Sequence, residues 1–497
     1  MKQRNSVVFY LNGVRQEVGA EQARMMLSDY LRYEKSLTGT KVVCAEGDCG
    51  ACSVLKLFPH SAGKGSAKDT FIPMNSCITT LAQMDGASLI TVDALAMGDP
   101  RDSENLSPVQ NAMVSCHGSQ CGFCTPGFVV TLTGAIENKL CQKSFSKKPE
   151  THLTPQEAKN ALTGNLCRCT GYQPIIDAAT SIDLKKCEPI SKRFYSKQQE
   201  LDLKKVQSSP LLLKNDVFSI YAPKTAKDAA KYLTKNKTAR MIAASTDLGV
   251  LSNKGKIKFE KLVSLHLVSE LYVLKKQGAG RISVGARVTL SELRHFLKDL
   301  VPQFATFLDL FASPQIKNVA TLIGNVGNAS PIADTPPFLL VSDAVVHVVG
   351  SRGKRKIPLE KFYLAYRKTA LKAGEIITSI DFAIPKKGES LALYKTSQRK
   401  DLDISIVNAA IRVNWMDAKK TVIKEVNIAM GGIAATPLRL KKTELLLKGA
   451  ILSKETLAKA VTTLHSEMTP LSDLRSSSSY RRVIVENLFL KFFREHS

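Results

Sequence analysis

Eight of the eleven cysteines fall into two sets whose spacing could hold iron. The first is Cys44, Cys49 and Cys52, with four and then two residues between them, followed by Cys77. That is the spacing of a plant-type [2Fe–2S] site, in which a wrapped loop supplies three thiolates and a separate segment the fourth. Gly47 and Gly50 between them let the backbone turn tightly and aim N–H groups at sulfur, where a Cβ would stand in the way. A structural zinc site normally uses paired C-x2-4-C knuckles instead. The second set is Cys121-Gly-Phe-Cys124 and Cys167-Arg-Cys169. Each pair precedes a helix start, where free N–H groups and the helix dipole favour thiolates. Taken alone this set could hold zinc, but beside the first it reads as a second [2Fe–2S] centre. Cys116, Cys141 and Cys187 are left as packing or surface thiols. None of the eight histidines is needed for catalysis, and His117 is expected to support a cluster loop.

The elements that must position these thiols follow from local patterns. Residues 6–11 and 14–18 read as a hairpin around Asn12-Gly13, and an amphipathic helix is expected over about 21–32, with Ala23, Met26, Leu27 and Leu31 on one stripe. Four helix starts follow, each with proline at or next to the first position: Ser107-Pro108, Thr125-Pro126, Thr154-Pro155 and Gln173-Pro174. Residues 211–385 alternate short strands and helices, and 388–497 open with strands and close with helices. Gly278-Ala-Gly280 with Gly285 does not complete a dinucleotide fingerprint, and a hairpin turn is the expected structure.

Length and charge set the outer limits. A chain of 497 residues is expected to form several domains. No apolar run approaches the roughly 18–20 residues of a membrane helix, and the N-terminal stretch lacks a signal-peptide core. A soluble, cytoplasmic protein is therefore expected, and an odd cysteine count without an export signal argues against a disulfide framework. The net charge is +26 from 70 Lys+Arg and 44 Asp+Glu, nearly all of it beyond residue 186. A lysine-rich solvated surface explains most of it; a field favouring anionic ligands is the functional alternative. A metal-stabilised nucleic-acid-binding protein is the remote alternative, without a supporting motif.

Three long motifs, Gly39-Thr-Lys41 through Cys44–Cys52 with Asn75-Ser-Cys77, His117 through Gly127, and Gly164 through Tyr172, closely resemble the molybdenum hydroxylase family. The resemblance runs along the whole chain. It implies an α+β multidomain protein: a β-grasp ferredoxin-like domain (1–93), a four-helix [2Fe–2S] domain (94–186), an exposed linker (187–210), an α+β FAD-binding domain of the PCMH/vanillyl-oxidase type (211–387) and a C-terminal α+β domain like that of the CO dehydrogenase flavoprotein (388–497). The implied cluster ligands are Cys44, Cys49, Cys52 and Cys77, then Cys121, Cys124, Cys167 and Cys169.

In the flavin half, Ala244, Ser245, Thr246, Asp247, Leu248 and Gly249, then Asn318, Thr321, Gly324, Asn325, Asn328, Ser330 and Asp334, resemble the loops that hold FAD phosphates and the ribityl chain. Short polar side chains and free backbone N–H groups suit a pyrophosphate. Lys395 to Asp403 resembles the segment beside the isoalloxazine. Two positions depart from the family's glycines, Ala244 and Ile323; a positive φ at either would be costly.

The resemblance also implies a partner. No molybdopterin domain follows Ser497, so a separate large molybdopterin-binding subunit is expected, in a heterodimer or α2β2 assembly, with Gln120 and Cys169 facing it. This chain would pass electrons from that subunit's molybdenum site through both clusters to FAD and then NAD+. The implied activity is the xanthine dehydrogenase type, hypoxanthine and xanthine to urate. A subunit serving another N-heterocycle or an aldehyde is the alternative, and NAD+ against oxygen as acceptor stays open. No nucleic acid and no membrane partner is expected.

Overall fold

The computed structural model describes residues 3–59, 70–99, 101–142 and 151–496. The chain divides into two compact units, one made of Met1–Thr225, Thr238–Ser269 and Ser313–Ala320, the other of Ala226–Lys237, Glu270–Ala312 and Thr321–Ser497.

The first unit begins with the expected hairpin, β1 (Val7–Leu11) and β2 (Val14–Val18), in register Val7↔Val18 to Leu11↔Val14. Asn12 and Gly13 both take positive φ, 51° and 84°, which a two-residue turn matching the strand twist requires. With β3 (Ser53–Leu57), β4 (Ile72–Asn75) and β5 (Ser88–Ile90) they form a sheet of order β2-β1-β5-β3-β4, in which β1 and β5 are parallel. β3 separates two cores by its period of two. Val54 faces one core with Phe9, Leu27 and Met74, while Leu55 and Leu57 face another with Phe128, Leu132 and Ile175.

The amphipathic helix expected over 21–32 is broken. Helical turns Ala20–Ala23 and Leu27–Asp29, then a wide turn Tyr30–Glu34, flank Met26, whose ψ of 142° is extended. Met26 bridges Thr80, and Leu81 N–H donates to the Met25 carbonyl. Long-range pairing thus overrides a good local stripe.

The four proline-led helices are α1 (Pro108–Ser115), α2 (Thr125–Gln142), α3 (Pro155–Leu162) and α4 (Gln173–Ser181). Ser107 with Gln110 and Thr154 with Glu157 form capping boxes at α1 and α3.

The segment 187–210, expected as an exposed linker, is instead largely helical. After a turn at Ser191–Phe194, α5 (Lys197–Ser208) opens with a Ser196/Gln199 capping box and buries Leu203, Val206 and Gln207. Gln199 and Gln207 amides donate to the Gly13 and Gly86 carbonyls, and Tyr10 donates to Asp202. A Lys- and Gln-rich composition disguised an amphipathic helix docked on the first sheet. Strands β6 (Leu211–Lys214), β7 (Ser219–Ala222), β8 (Arg240–Ile242) and β9 (Lys261–Ser264) complete the unit as a sheet of order β6-β7-β9-β8.

The second unit holds a five-stranded sheet in the order Leu274–Gln277, Arg281–Gly285, Ile376–Ala383, Val345–Gly350 and Gly353–Pro358. The turn joining its first two strands is the glycine pair Gly278/Gly280, a hairpin as expected, with Ala279 and Gly280 at positive φ. A four-stranded antiparallel sheet, Ser390–Thr396, Val407–Trp415, Ile423–Gly431 and Leu438–Arg439, is covered by helices Lys454–Glu467 and Ser478–His496. Phe489, Phe492 and Phe493 of the last helix are fully buried in its core. The whole is the multidomain α+β architecture expected from the sequence.

Candidate iron–sulfur and flavin sites

The first thiol set lies on the loop before β3 and just after β4. Cys49, Cys52 and Cys77 are buried and Cys44 is partly exposed. Cys44 is in hydrogen-bonding contact with Cys49 and Cys77, and Cys77 in turn with Cys52, so the four sulfurs form a string. Hydrogen bonds from Cys49 and Cys77 pull the Cys44 thiol far below the usual thiol range, and the donors Cys49 and Cys77 are pushed up. Cys52 falls to about 7, chiefly through the hydrogen bond from Cys77.

Backbone N–H groups aim at sulfur here, as the glycines predicted: Glu46 N–H reaches Cys44 Sγ over 3.4 Å. The Asn75 amide reaches Cys52 Sγ over 3.7 Å. Gly50 has φ 70°, and a Cβ there would stand 2.3 Å from the Gly164 carbonyl oxygen.

In the second set, Cys121 and Cys124 sit just before α2 and Cys167 and Cys169 before α4. Contacts pair Cys121 with Cys169 and Cys124 with Cys167. Burial, then the contact with Cys167, pushes Cys124 up to about 12. Burial opposes ionisation of Cys167, but hydrogen bonds from the Thr170 hydroxyl and N–H hold it below the usual thiol range. The Cys121 hydrogen bond raises Cys169. Cys121 and Cys169 are exposed, as are Gln120, Phe123 and Leu166 around them.

A zinc ion draws four thiolates about itself at about 2.3 Å each. Strings and pairs of thiols, with N–H donors on sulfur, suit a binuclear cluster that spreads its ligands over two irons. The two loops touch directly: Leu166 N–H donates to the Cys49 carbonyl over 3.0 Å, and the Asn165 amide to that of Gly50 over 3.4 Å.

The flavin candidates are distributed over both units. In the first, Ala244–Asp247 forms the turn leading from β8 into helix Leu248–Asn253, which Leu248 and Gly249 open. Ser245, not Ala244, takes the left-handed conformation, φ 64°, so alanine at 244 carries no backbone strain. Ser245 is buried and its hydroxyl has no hydrogen-bond partner among the described residues. An orphaned hydroxyl on a strained turn fits a polar ligand such as a flavin nucleotide. The helix that follows is tied to the first thiol loop by Asn253, whose amide donates to the Ala45 and Cys77 carbonyls, both at 2.8 Å. Asn318 also lies in this unit and donates to the Pro73 carbonyl of β4 over 2.9 Å.

In the second unit Thr321 caps helix Leu322–Gly327 by accepting from Gly324 N–H, and Ile323 inside it has ordinary helical geometry and is buried. Asn325 accepts from Thr335, Asn328 caps the helix C-terminus and Ser330 accepts from Ile332 N–H. Asp334 forms a buried ion pair with Lys395 at 2.8 Å and also accepts from Ser405 and Asn408. Burial opposes ionisation of Asp403, but N–H groups of Arg399 and Ile404 hold its carboxyl below the usual range. Sequence patterns did not single out Asn253, Asn408 or Gln315. Each is a lone polar residue whose role appears only when distant segments meet.

Family models agree with this architecture. A [2Fe-2S] binding domain matches residues 91–180, the FAD binding domain in molybdopterin dehydrogenase 216–387, and the CO dehydrogenase flavoprotein C-terminal domain 392–496. The relatives that the chain matches are molybdenum hydroxylases. Members of the family similar to it include xanthine dehydrogenase 1 of Arabidopsis thaliana, 30% identical over 98% of this chain and 39% of that protein. Aldehyde oxidase 1 of Bos taurus is 28% identical over 99% of this chain and 39% of that protein. The chain thus spans about two-fifths of the length of these relatives. Among solved structures, reconstituted CO dehydrogenase from Oligotropha carboxidovorans is 26% identical with a TM-score of 0.53, covering 57% of this chain and all of that one. Quinoline 2-oxidoreductase from Pseudomonas putida 86 is 25% identical with a TM-score of 0.52, covering 57% of this chain and 98% of that one. The chain therefore carries an FAD-binding domain and a [2Fe–2S]-binding domain. No helix among the described residues is long and apolar enough to cross a membrane.

Proposed function

We propose that this chain is the FAD and iron–sulfur subunit of a xanthine dehydrogenase-type complex, passing electrons from a partner's molybdenum site to NAD+ while hypoxanthine and xanthine become urate. In this reading the molybdopterin lies on a separate large subunit, in a heterodimer or α2β2 assembly, and the four sequence regions 1–93, 94–186, 211–387 and 388–497 act as four modules. The observation that carries it is the junction of the two thiol loops, Leu166 N–H on the Cys49 carbonyl, in a chain that aligns over 98% of its length with xanthine dehydrogenases.

Cys44, Cys49, Cys52 and Cys77 would hold one cluster and Cys121, Cys124, Cys167 and Cys169 the other; when bound, the clusters and FAD supply one- and two-electron carriers. The chain's own contribution is placement and tuning. Glu46 and Thr170 N–H groups on sulfur stabilise thiolate charge, and burial of Cys52 and Cys77 excludes water. The exposed Cys121, Cys169 and Gln120 are the groups we assign to the partner face; Ser245 in the first unit, and separately Lys395 and Asp334 in the second, are candidates for flavin contacts.

Purified chain should contain about four irons, two per cluster, and one FAD. A colourless, zinc-containing protein would overturn the reading. Co-purifying the large subunit and comparing hypoxanthine with nicotinate, quinoline and aldehydes separates the xanthine type from the alternative that the aldehyde oxidase and quinoline oxidoreductase likenesses support. Anaerobic NADH should bleach the flavin, and a flavin left oxidised would exclude NAD+ as acceptor.

A further inference from the structure

Gln315 enters the junction of the two thiol loops from a distant part of the chain. Its segment, a single helical turn Pro314–Lys317 capped by Ser313, belongs to the first unit although the sequence around it does not. The side chain is fully buried. Its Nε2 faces three acceptors: Asn165 Oδ1 at 2.8 Å, Thr131 Oγ1 at 3.2 Å and Ser53 Oγ at 3.5 Å. Ser53 follows Cys52, Asn165 precedes Cys167 by two residues, and Thr131 is on the helix that Cys124 leads into. One amide therefore touches the supports of both thiol sets.

The amide's other end shows that this is more than space filling. Gln315 Oε1 has no hydrogen-bond partner among the described residues, and it presses so close to Gly164 that a Cβ there would stand 1.9 Å away. A leucine would fill the same space without burying an unpaired acceptor. What the position requires is therefore the Nε2 donor. An amide offers two hydrogens, so the three acceptors share them and are drawn to one point. A buried polar network of this kind fixes the elements it joins. Asn165 passes the constraint on, since its own amide donates to the Gly50 carbonyl.

We propose that Gln315 is a positioning residue that sets the separation of the two [2Fe–2S] clusters, and with it the electron exchange between them. The inference rests on the two-cluster reading above. The step it governs is transfer of one electron from the reduced cluster of the second set to the oxidised cluster of the first. No bond is made or broken and no proton moves.

The test is electron paramagnetic resonance of the whole chain with both clusters, reduced by dithionite, together with each cluster's potential. The expected result for Gln315→Leu is four irons retained, loss of the spin–spin splitting between the reduced clusters, and a shift in at least one potential. Gln315→Glu keeps the bulk but removes the donor, and should lose the splitting likewise. Thr131→Val removes one acceptor away from the cysteine loops and should weaken it. Wild-type splitting and potentials in an iron-replete Gln315→Leu chain would overturn the proposal. If that variant does not fold, wild-type splitting in both Gln315→Glu and Thr131→Val overturns it instead. A wild-type chain with fewer than four irons sinks the two-cluster reading itself, a different failure.

Discussion

Gly249 packs against the main chain of Ile78: a Cβ at 249 would stand 2.1 Å from the Ile78 carbonyl oxygen and 2.8 Å from its carbon. Ile78 follows Cys77, so the helix after the Ser245 turn is seated on the backbone of the first thiol set. Backbone cannot move aside as a flexible side chain can, so Gly249→Ala should displace the turn. The expected outcome is reduced FAD content together with a changed first-cluster spectrum, while the second-cluster signal stays as it was. Visible circular dichroism and flavin release on denaturation read the two effects separately. Full flavin occupancy in the variant would show that this seating does not govern the flavin turn.

The two thiol sets should fail independently. Cys49→Ser removes a ligand of the first set and Cys169→Ser one of the second, whose thiol is exposed. Each should lower iron by about half, since each proposed cluster holds two irons. The surviving electron paramagnetic resonance signal should differ between the two variants. If either substitution empties both sites, the sets fold as one metal centre and the division into two is wrong.

Thiol spacing, proline-led helix starts and the Asn12-Gly13 turn are legible in the sequence because each is local chemistry. Ser107 and Thr154 each cap with a Gln or Glu three residues on, and both open helices. What failed depended on distant partners. Met26 left a helical stripe because Thr80 offered a backbone pairing, and the polar surface of α5 hid the three residues it buries. Gln315 was invisible for the same reason: its importance comes from Ser53, Thr131 and Asn165, remote in sequence. In the flavin loops, residue types suggested ligand contacts, yet Asn318 and Asp334 also hold the protein's own groups, Pro73 and Lys395.

The Lys395–Asp334 pair sets a further expectation. The two side chains are only 3% and 9% exposed and lie 2.8 Å apart, with Asn408 Nδ2 adding a bond to Asp334 over 3.0 Å. Removing one member of a buried pair leaves the other charge without compensation, which costs about 3–5 kcal/mol. Asp334→Ala should therefore destabilise the chain by that order in urea unfolding. Lys395→Met, which removes the charge but keeps the bulk, should cost less when combined with Asp334→Asn than either does alone. Additive losses in the double variant would mean that the two charges are not coupled.

Acid stability offers a last test, away from both sites. Asp85 is fully buried, takes a two-pronged ion pair from Arg4 at 2.8 and 2.7 Å, and meets His266 Nε2 at 3.2 Å. Burial alone would raise its pKa, but the hydrogen bonds from Arg4 and His266 outweigh burial and leave it below the usual aspartate value. A carboxyl with a depressed folded pKa contributes stability that is complete above its unfolded value, near 3.8, and is lost as pH falls through the folded one. Wild-type stability should thus be level in this contribution from neutral pH down to about the ordinary carboxylate range, then drop. Asp85→Asn should be less stable at pH 7, by about 3–5 kcal/mol, with a shallower acid limb, so that the two unfolding curves approach each other at the lowest pH. Parallel limbs over the whole range would show that the carboxylate's ionisation is not what Arg4 and His266 stabilise.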